Sequence, residues 1–342
     1  MRKIRLGRTE LMVTKTAMGC LPVQRRNKED AAKLLRAAYD GGINYFDTAN
    51  AYSDSEEKIG LGLSDVRQDI ILSTKSYARD KKGCMEHIDL SLKRMKTDYI
   101  DLFQFHQCDV LPDANDPNDA YAAALEAKKQ GKIRHIGITT HRIEVAEQAI
   151  ECGNFETLQF PFSYISTDRD LALAEKCKEA DMGFIAMKGL AGGLLNNAKL
   201  CAAFMNEYDN VVPIWGVQTM EELNQWLALE EEVPRLDDEM RSVIATDKAQ
   251  LGTTFCRGCG YCMPCPVGIQ INFAARMNML LRRSPWQQYY SPEWQAKMDK
   301  INDCIGCYQC ASKCPYQLDT PNVLKYMRKD YQEFYEEHKH LL

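Results

Sequence analysis

Eight cysteines fall in two short runs after residue 255, and cysteines so spaced are metal-ligand chemistry. One run is Cys256-Arg-Gly-Cys259-Gly-Tyr-Cys262-Met-Pro-Cys265-Pro266. The other is Cys304-Ile-Gly-Cys307-Tyr-Gln-Cys310-Ala-Ser-Lys-Cys314-Pro315. Three thiolates two residues apart on a tight loop can each reach one iron of a cubane, and the proline turns the chain away after the fourth. Structural zinc also uses C-x₂-C pairs, but it takes two pairs on separate knuckles. Two triplets, each followed by Cys-Pro, fit iron–sulfur better. The expected signature is a brown protein with roughly eight Fe per chain. The other six of the fourteen cysteines, Cys20, Cys84, Cys108, Cys152, Cys177 and Cys201, stand singly and read as buried small hydrophobes. A disulfide scaffold would be short and would spread its cysteines through the fold.

The second run resembles the bacterial ferredoxin pattern C-x₂-C-x₂-C-x₃-C-P residue for residue. In two-cluster ferredoxins the fourth cysteine of each run serves the other cluster. The resemblance therefore implies one [4Fe–4S] cluster on Cys256, Cys259, Cys262 and Cys314, and a second on Cys304, Cys307, Cys310 and Cys265. The first run departs from the pattern, with two residues rather than three before Cys265. The long helical stretch between the runs points to an α-helical ferredoxin-like module.

Four polar residues suit a different chemistry. Asp47 follows Ile43-Asn-Tyr-Phe, Tyr52 lies in the next loop, Lys75 ends Ile70-Ile-Leu-Ser-Thr and His106 ends Ile100-Asp-Leu-Phe-Gln-Phe. Reducing a carbonyl with hydride needs a proton donor for the developing alkoxide. A free tyrosine titrates near ~10, so a cation at Lys75 is expected to stabilise tyrosinate and ease the transfer. Asp47 would hold Lys75, and His106 would polarise or orient the carbonyl oxygen.

The elements that must position them alternate over the first ~230 residues. After a hairpin (Lys3–Leu6, Met12–Val13), strands are predicted at Thr16–Met18, Ile43–Phe46, Ile70–Ser73, Ile100–Phe105, Ile133–Ile138, Thr157–Gln159, Phe184–Ala186 and Val211–Ile214. Helices are predicted at Glu29–Asp40, Met85–Lys96, Asp119–Gln130, Ile143–Glu151, Asp168–Glu179 and Met220–Ala228, with Asp168 as an N-cap and Gly131 as a stop. Short apolar strands alternating with amphipathic helices predict an α/β fold, a (β/α)₈ TIM barrel with strand ends that carry chemistry. A doubly wound sheet is disfavoured because no Gly-x-Gly-x-x-Gly follows the first strand. The expected division is a barrel over residues 1–232 and a small, mainly α-helical ferredoxin-like domain over 233–342. In the latter, Trp286, Tyr289, Tyr290 and Trp294 either cap the barrel mouth or pack the small module.

Residues 1–230 closely resemble the aldo-keto reductase superfamily. Gly42-Ile-Asn-Tyr-Phe-Asp-Thr-Ala-Asn-Ala-Tyr52, Ser73-Thr-Lys75, Asp98-Tyr-Ile-Asp-Leu-Phe-Gln-Phe-His106 and Gly131-Lys-Ile-Arg-His-Ile-Gly-Ile carry the match. The resemblance implies a nicotinamide-dependent oxidoreductase acting on a small carbonyl or alcohol, with Asp47, Tyr52, Lys75 and His106 as its tetrad. It also implies nucleotide contacts at Thr139, Thr140, Gln159, Met187, Gly192, Gly193 and Gly216. Glu222 falls about where an arginine would meet the 2′-phosphate of NADPH and would repel it, so NADH is favoured over NADPH, with weakened nucleotide binding as the alternative. Nicotinamides deliver electron pairs and each cluster takes one, so a flavin, or a ferredoxin or flavoprotein redox partner, is left open. The competing reading is an iron–sulfur electron-transfer or redox-sensing protein whose barrel is a docking scaffold.

A net charge of −5 with no basic stripe argues against a nucleic-acid partner. No apolar run approaches the ~20 residues of a membrane span. The N-terminus has no signal-peptide pattern, so a cytoplasmic location is expected.

Overall fold

The strands form where apolar runs can be buried on both faces. The computed structural model describes residues 1–251, 255–283 and 285–342. The chain divides into two compact units, Met1–Gly189 with Ala198–Asp237, and Leu190–Asn197 with Asp238–Leu342. Residues Val233–Asp237 thus fall with the first unit, and the short segment Leu190–Asn197 with the second.

In the first unit, β1 (Lys3–Arg5) and β2 (Met12–Thr14) make an antiparallel hairpin. The next eight strands close a parallel barrel: β3 (Ala17–Gly19), β4 (Tyr45–Asp47), β5 (Ile71–Ser76), β6 (Ile100–Phe105), β7 (Ile133–Thr139), β8 (Thr157–Pro161), β9 (Gly183–Met187) and β10 (Val211–Gly216). β10 pairs with β3 to complete the ring. Leu6 and Val13, from the hairpin, pack with Ala17, Tyr45, Ile71, Leu102, Ile185 and Val212 of the strands. This apolar plug lies toward the strands' N-terminal ends, so the C-terminal ends stay available for chemistry.

Helices stand between the strands where expected, with two additions and one corrected cap. Ser55–Leu63 and Ala198–Asn206 are helical although no helix was predicted there. In Ser55–Leu63 the pattern is broken by Gly60 and Gly62, which close packing demands: a Cβ at Gly60 would lie 2.3 Å from the Arg94 carbonyl, and one at Gly62 3.0 Å from that of Ala32. The helix Asp168–Glu179 is capped by Thr167 rather than Asp168, through a reciprocal box with Asp170. Gly131 has φ +74° just beyond the helix Ala120–Lys129 and its cap Gln130, the left-handed position that favours glycine.

The second unit contains helices Asp238–Leu251, Ile271–Ala274, Met277–Arg283, Pro292–Asp299, Gln309–Ser312 and Thr320–His338. The segment 271–283, rich in helix formers, holds two of these short helices, with a break between Ala274 and Met277. The aromatic cluster packs within this unit. Tyr290 stacks on Tyr331 at 4.6 Å, Trp286 meets Phe334 at 5.6 Å and Tyr289 meets Trp294 at 5.2 Å. The Tyr290 and Tyr331 hydroxyls donate to the Tyr331 and Tyr289 carbonyls. No helix among the described residues is long and apolar enough to cross a membrane.

Candidate active site and cluster sites

Asp47 closes β4, Lys75 lies next to last in β5 and His106 directly follows β6. Parallel register sets Asp47 beside Ser73 and Lys75 beside Gln104. Asp47 and Lys75 are each 1% exposed. One Asp47 oxygen accepts from the Lys75 ammonium, which also donates to the Thr48 carbonyl at 2.6 Å. The other accepts from Ser73 Oγ at 2.6 Å and from Gln104 Nε2 at 3.2 Å. Gln104 Nε2 also lies 2.8 Å from Ser73 Oγ and 3.0 Å from Gln159 Oε1. The pair is thus surrounded by hydrogen bonds, which a charge pair removed from water requires.

The Tyr52 ring lies 5.6 Å from Lys75 Nζ and 5.7 Å from the His106 ring, edge-on at 76°. Tyr77 stacks on His106 at 4.1 Å and fixes its plane. The four predicted residues therefore share one site at the C-terminal ends of the strands. Sequence reasoning missed Ser73, Gln104 and Tyr77. The first two carry a readable signal, since alternation in a strand puts Ser73 on the face of Lys75, and Gln104 is the one amide in an apolar run.

Burial, with the Asp47 carboxylate adding to it, pushes the Tyr52 phenol above its usual range. The expected lowering by Lys75 is not what governs here, because Asp47 takes up that cation's charge. Burial also pulls the Lys75 ammonium down, against the pull of Asp47. It pulls the His106 imidazole well below its usual range, helped by the Lys75 and Arg79 cations. At neutral pH the site holds a protonated phenol and a neutral imidazole, whose buried Nδ1 has no hydrogen-bond partner.

In the second unit the cysteines line two clefts. Cys256, Cys259, Cys262 and Cys314 border one with about 350 Å³ of empty space. Cys265, Cys304, Cys307 and Cys310 border the other, with about 390 Å³, and Cys262 reaches both. Among the described residues no three His, Cys, Asp or Glu side chains converge on a point that could hold a single metal ion. A ring of four thiols around a cleft, rather than a tight tetrahedron, fits a cubane better than zinc. Of the isolated cysteines, Cys20, Cys84, Cys108, Cys177 and Cys201 are buried as expected, and Cys152 is exposed.

Residues 15–210 match the Aldo/keto reductase family. The oxidoreductase YqkF of Bacillus subtilis is 31% identical over 259 residues, which span 71% of this chain and 82% of that protein. The chain belongs to the aldo/keto reductase family. Residues 255–319 match a 4Fe-4S dicluster domain, which joins an oxidoreductase barrel to an iron–sulfur module in one chain. An aldo-keto reductase of Bacillus halodurans in its holo form superposes with a TM-score of 0.64 at 25% identity, over 72% of this chain and 96% of that one. An aldo-keto reductase of Klebsiella pneumoniae in complex with NADPH shares the fold, with a TM-score of 0.63 at 22% identity over 72% and 94% of the two chains.

Within this family member the residues expected at the nucleotide are partly occupied by the protein itself. Thr139 Oγ1 accepts from the Gln107 amide at 2.8 Å. Thr140 Oγ1 donates to the Cys108 carbonyl and accepts from the Arg142 amide. Gln159 offers its oxygen to Gln104, Met187 ends β9 partly buried against the plug, and Gly216 ends β10, exposed. Gly192 and Gly193 belong to the second unit, with φ of +70° and +91°. The carboxylate of Glu222 accepts from the Gln218 and Thr219 amides at 2.7 and 3.3 Å, closing a capping box at the start of the helix Met220–Glu231. A helix N-terminus so filled is not free to take a phosphate.

Proposed function

We propose that the barrel reduces a small carbonyl compound to an alcohol, or runs the reverse oxidation, with a nicotinamide cofactor, using Asp47, Tyr52, Lys75 and His106. The observation that carries this reading is the buried Asp47–Lys75 pair beside the Tyr52 and His106 rings. Bound nicotinamide supplies or accepts the hydride. Among the described residues no protein group engages the Tyr52 hydroxyl, so its proton can pass to the oxygen as negative charge develops there. A neutral His106 can donate one N–H to the same oxygen. Asp47, itself held by Ser73 and Gln104, fixes the Lys75 ammonium near the phenol and supports the phenolate once the proton has left. Gln159, Met187, Gly216, Thr139 and Thr140 of the first unit are the residues proposed to face the nucleotide. The filled helix start at Glu222 favours NADH over NADPH.

In the second unit, Cys256, Cys259, Cys262 and Cys314 would hold one [4Fe–4S] cluster, and Cys265, Cys304, Cys307 and Cys310 the other. Each cluster exchanges single electrons, so a ferredoxin or a flavin-bearing protein is the partner class that suits them. None of the fourteen cysteines is in a disulfide among the described residues, which suits a reducing compartment such as the cytoplasm.

The test is anaerobic mixing of the iron-loaded full chain with NADH or NADPH, with and without an aldehyde, following both nicotinamide oxidation and cluster colour. Cofactor oxidation only when the aldehyde is present is expected, faster at low NADH than at low NADPH. Tyr52→Phe should lower turnover by about 10²–10⁴-fold with nucleotide affinity retained. Cluster bleaching by NADH without aldehyde turnover would favour the scaffold reading instead, and much tighter NADPH binding would overturn the cofactor preference.

A further inference from the structure

Three arginines follow closely on the two helices Ile271–Ala274 and Met277–Arg283 and the turn between them, and they are treated differently. Arg282 donates two hydrogen bonds to the Asp330 carboxylate, both at 2.8 Å. Arg283 pairs with Asp247 at 2.7 Å. Arg276 has no carboxylate among the described residues. Its Nη1 donates to the Gly192 carbonyl at 2.9 Å, and its buried Nε has no hydrogen-bond partner among the described residues. A guanidinium only partly open to water, with no acid beside it, gains from a negative charge other than a carboxylate close by.

The surroundings of Arg276 indicate what that charge is. Ala275, its neighbour, lines the cleft ringed by Cys256, Cys259, Cys262 and Cys314, as does Arg257, whose guanidinium lies over the Tyr316 ring at 4.4 Å. Two positions next to the Arg276 guanidinium carry no side chain. A Cβ at Gly192 would lie 2.6 Å from Nη1, and one at Gly258 would lie 3.0 Å from Cζ. Gly258 is also the residue whose amide donates to Cys256 Sγ, at 3.4 Å. The backbone that steers one cysteine thus also makes room for the cation. The other cleft has no such group. Apart from its cysteines it is lined by Pro264, Pro266, Val267, Ile269, Ile305 and other uncharged residues.

We propose that Arg276 is the built-in counter-cation of the cluster on Cys256, Cys259, Cys262 and Cys314, and makes that cluster the first of the two to accept an electron. This rests on the reading of the eight cysteines as ligands of two [4Fe–4S] clusters. A cluster bound by four thiolates is an anion in both oxidation states, and one-electron reduction adds a further negative charge without a proton. A fixed cation in a poorly solvated site stabilises the reduced form more than the oxidised one and raises the potential. A reductant such as dithionite then loses one electron per cluster, first to the cluster beside Arg276 and next to its neighbour.

The experiment is a redox titration of the iron-loaded full chain with dithionite and mediators, followed by electron paramagnetic resonance at low temperature. The wild type is expected to show two one-electron steps with separate midpoints. Arg276→Gln should lower the higher midpoint by about a tenfold change in the reduced-to-oxidised ratio, about 59 mV for one electron, and leave the lower one in place. Arg276→Lys should retain most of the shift, and it decides the matter if Arg276→Gln binds iron poorly. Arg282→Gln, which alters a paired arginine, should move neither midpoint. Ile305→Lys puts a cation at the other cleft and should raise the midpoint that Arg276→Gln leaves alone. Unchanged midpoints in the fully loaded Arg276 variants, or Arg276→Gln and Ile305→Lys acting on the same signal, would overturn the proposal. Absence of any [4Fe–4S] signal in loaded wild-type protein would instead sink the cluster assignment itself.

Discussion

Asp47 illustrates how much a single carboxylate does in this site. It takes the Lys75 ammonium on one oxygen and Ser73 and Gln104 on the other, all of them buried. Asp47→Asn keeps the shape and removes the charge, leaving Lys75 with the Thr48 carbonyl as its main support. Breaking a buried pair in this way costs about 3–5 kcal/mol, or drives the lysine to neutrality. The expected result is a lower urea midpoint together with a fall in carbonyl turnover. Full stability in Asp47→Asn would show that the pair contributes little to the fold. At this scale Asp47, Lys75 and His106 were readable because each ends a strand-like apolar run where a barrel exposes its chemistry, and Tyr52 because it lies in the loop that follows one. The network beneath them was not. Gln104 and Ser73 become partners of Asp47 only through the register of adjacent strands, which one sequence does not state. Tyr77 faces His106 from beyond β5, and nothing local marks it.

The elements were legible where period and caps agreed. The strands fall within three residues of their predicted bounds, since each is a short apolar run with polar or glycine borders. Ser55–Leu63 escaped because Gly60 and Gly62, which packing requires, lower helix propensity and dilute the apolar stripe. The helix Met220–Glu231 holds a second lesson. Glu222 was read as a charge that repels a phosphate, and it is also half of a capping box with Thr219. The two roles predict different variants. Glu222→Ala removes both the charge and two hydrogen bonds to the helix start, at a net cost of about 1 kcal/mol. It should also improve NADPH binding relative to NADH, because the freed amides and the helix dipole then face the 2′-phosphate. Thr219→Ala weakens the cap while keeping the carboxylate, so its NADPH-to-NADH affinity ratio should stay that of the wild type. Both ratios are read by fluorescence titration. An unchanged ratio in Glu222→Ala would end the argument for NADH.

The molecule as a whole joins two units that are held together by different physics. The barrel buries a continuous apolar plug and closes every strand edge, so its core needs no metal. Around the cysteines the second unit has only short elements, such as the four-residue helices Ile271–Ala274 and Gln309–Ser312. Helices of that length do not hold themselves in water. The unit's packing lies mostly along the helix Thr320–His338, where Trp286, Tyr290, Tyr331 and Phe334 meet and Met277, Leu280, Leu281, Leu324 and Met327 are buried. Binding free energy of the clusters is therefore folding free energy for the cysteine segments. Removing iron with a chelator under anaerobic, reducing conditions should strip hydrogen-exchange protection from residues 255–268 and 304–319. The barrel strands β3 to β10 should keep theirs, and Tyr290 and Tyr331 should lose only part. Reconstitution with iron and sulfide should restore the lost protection. Protection in the cysteine segments that survives iron removal would mean that packing alone shapes them, leaving the clusters an electron-transfer role and no structural one. Loss of protection in β3 to β10 would mean instead that the barrel depends on iron, contrary to a core that is complete without it.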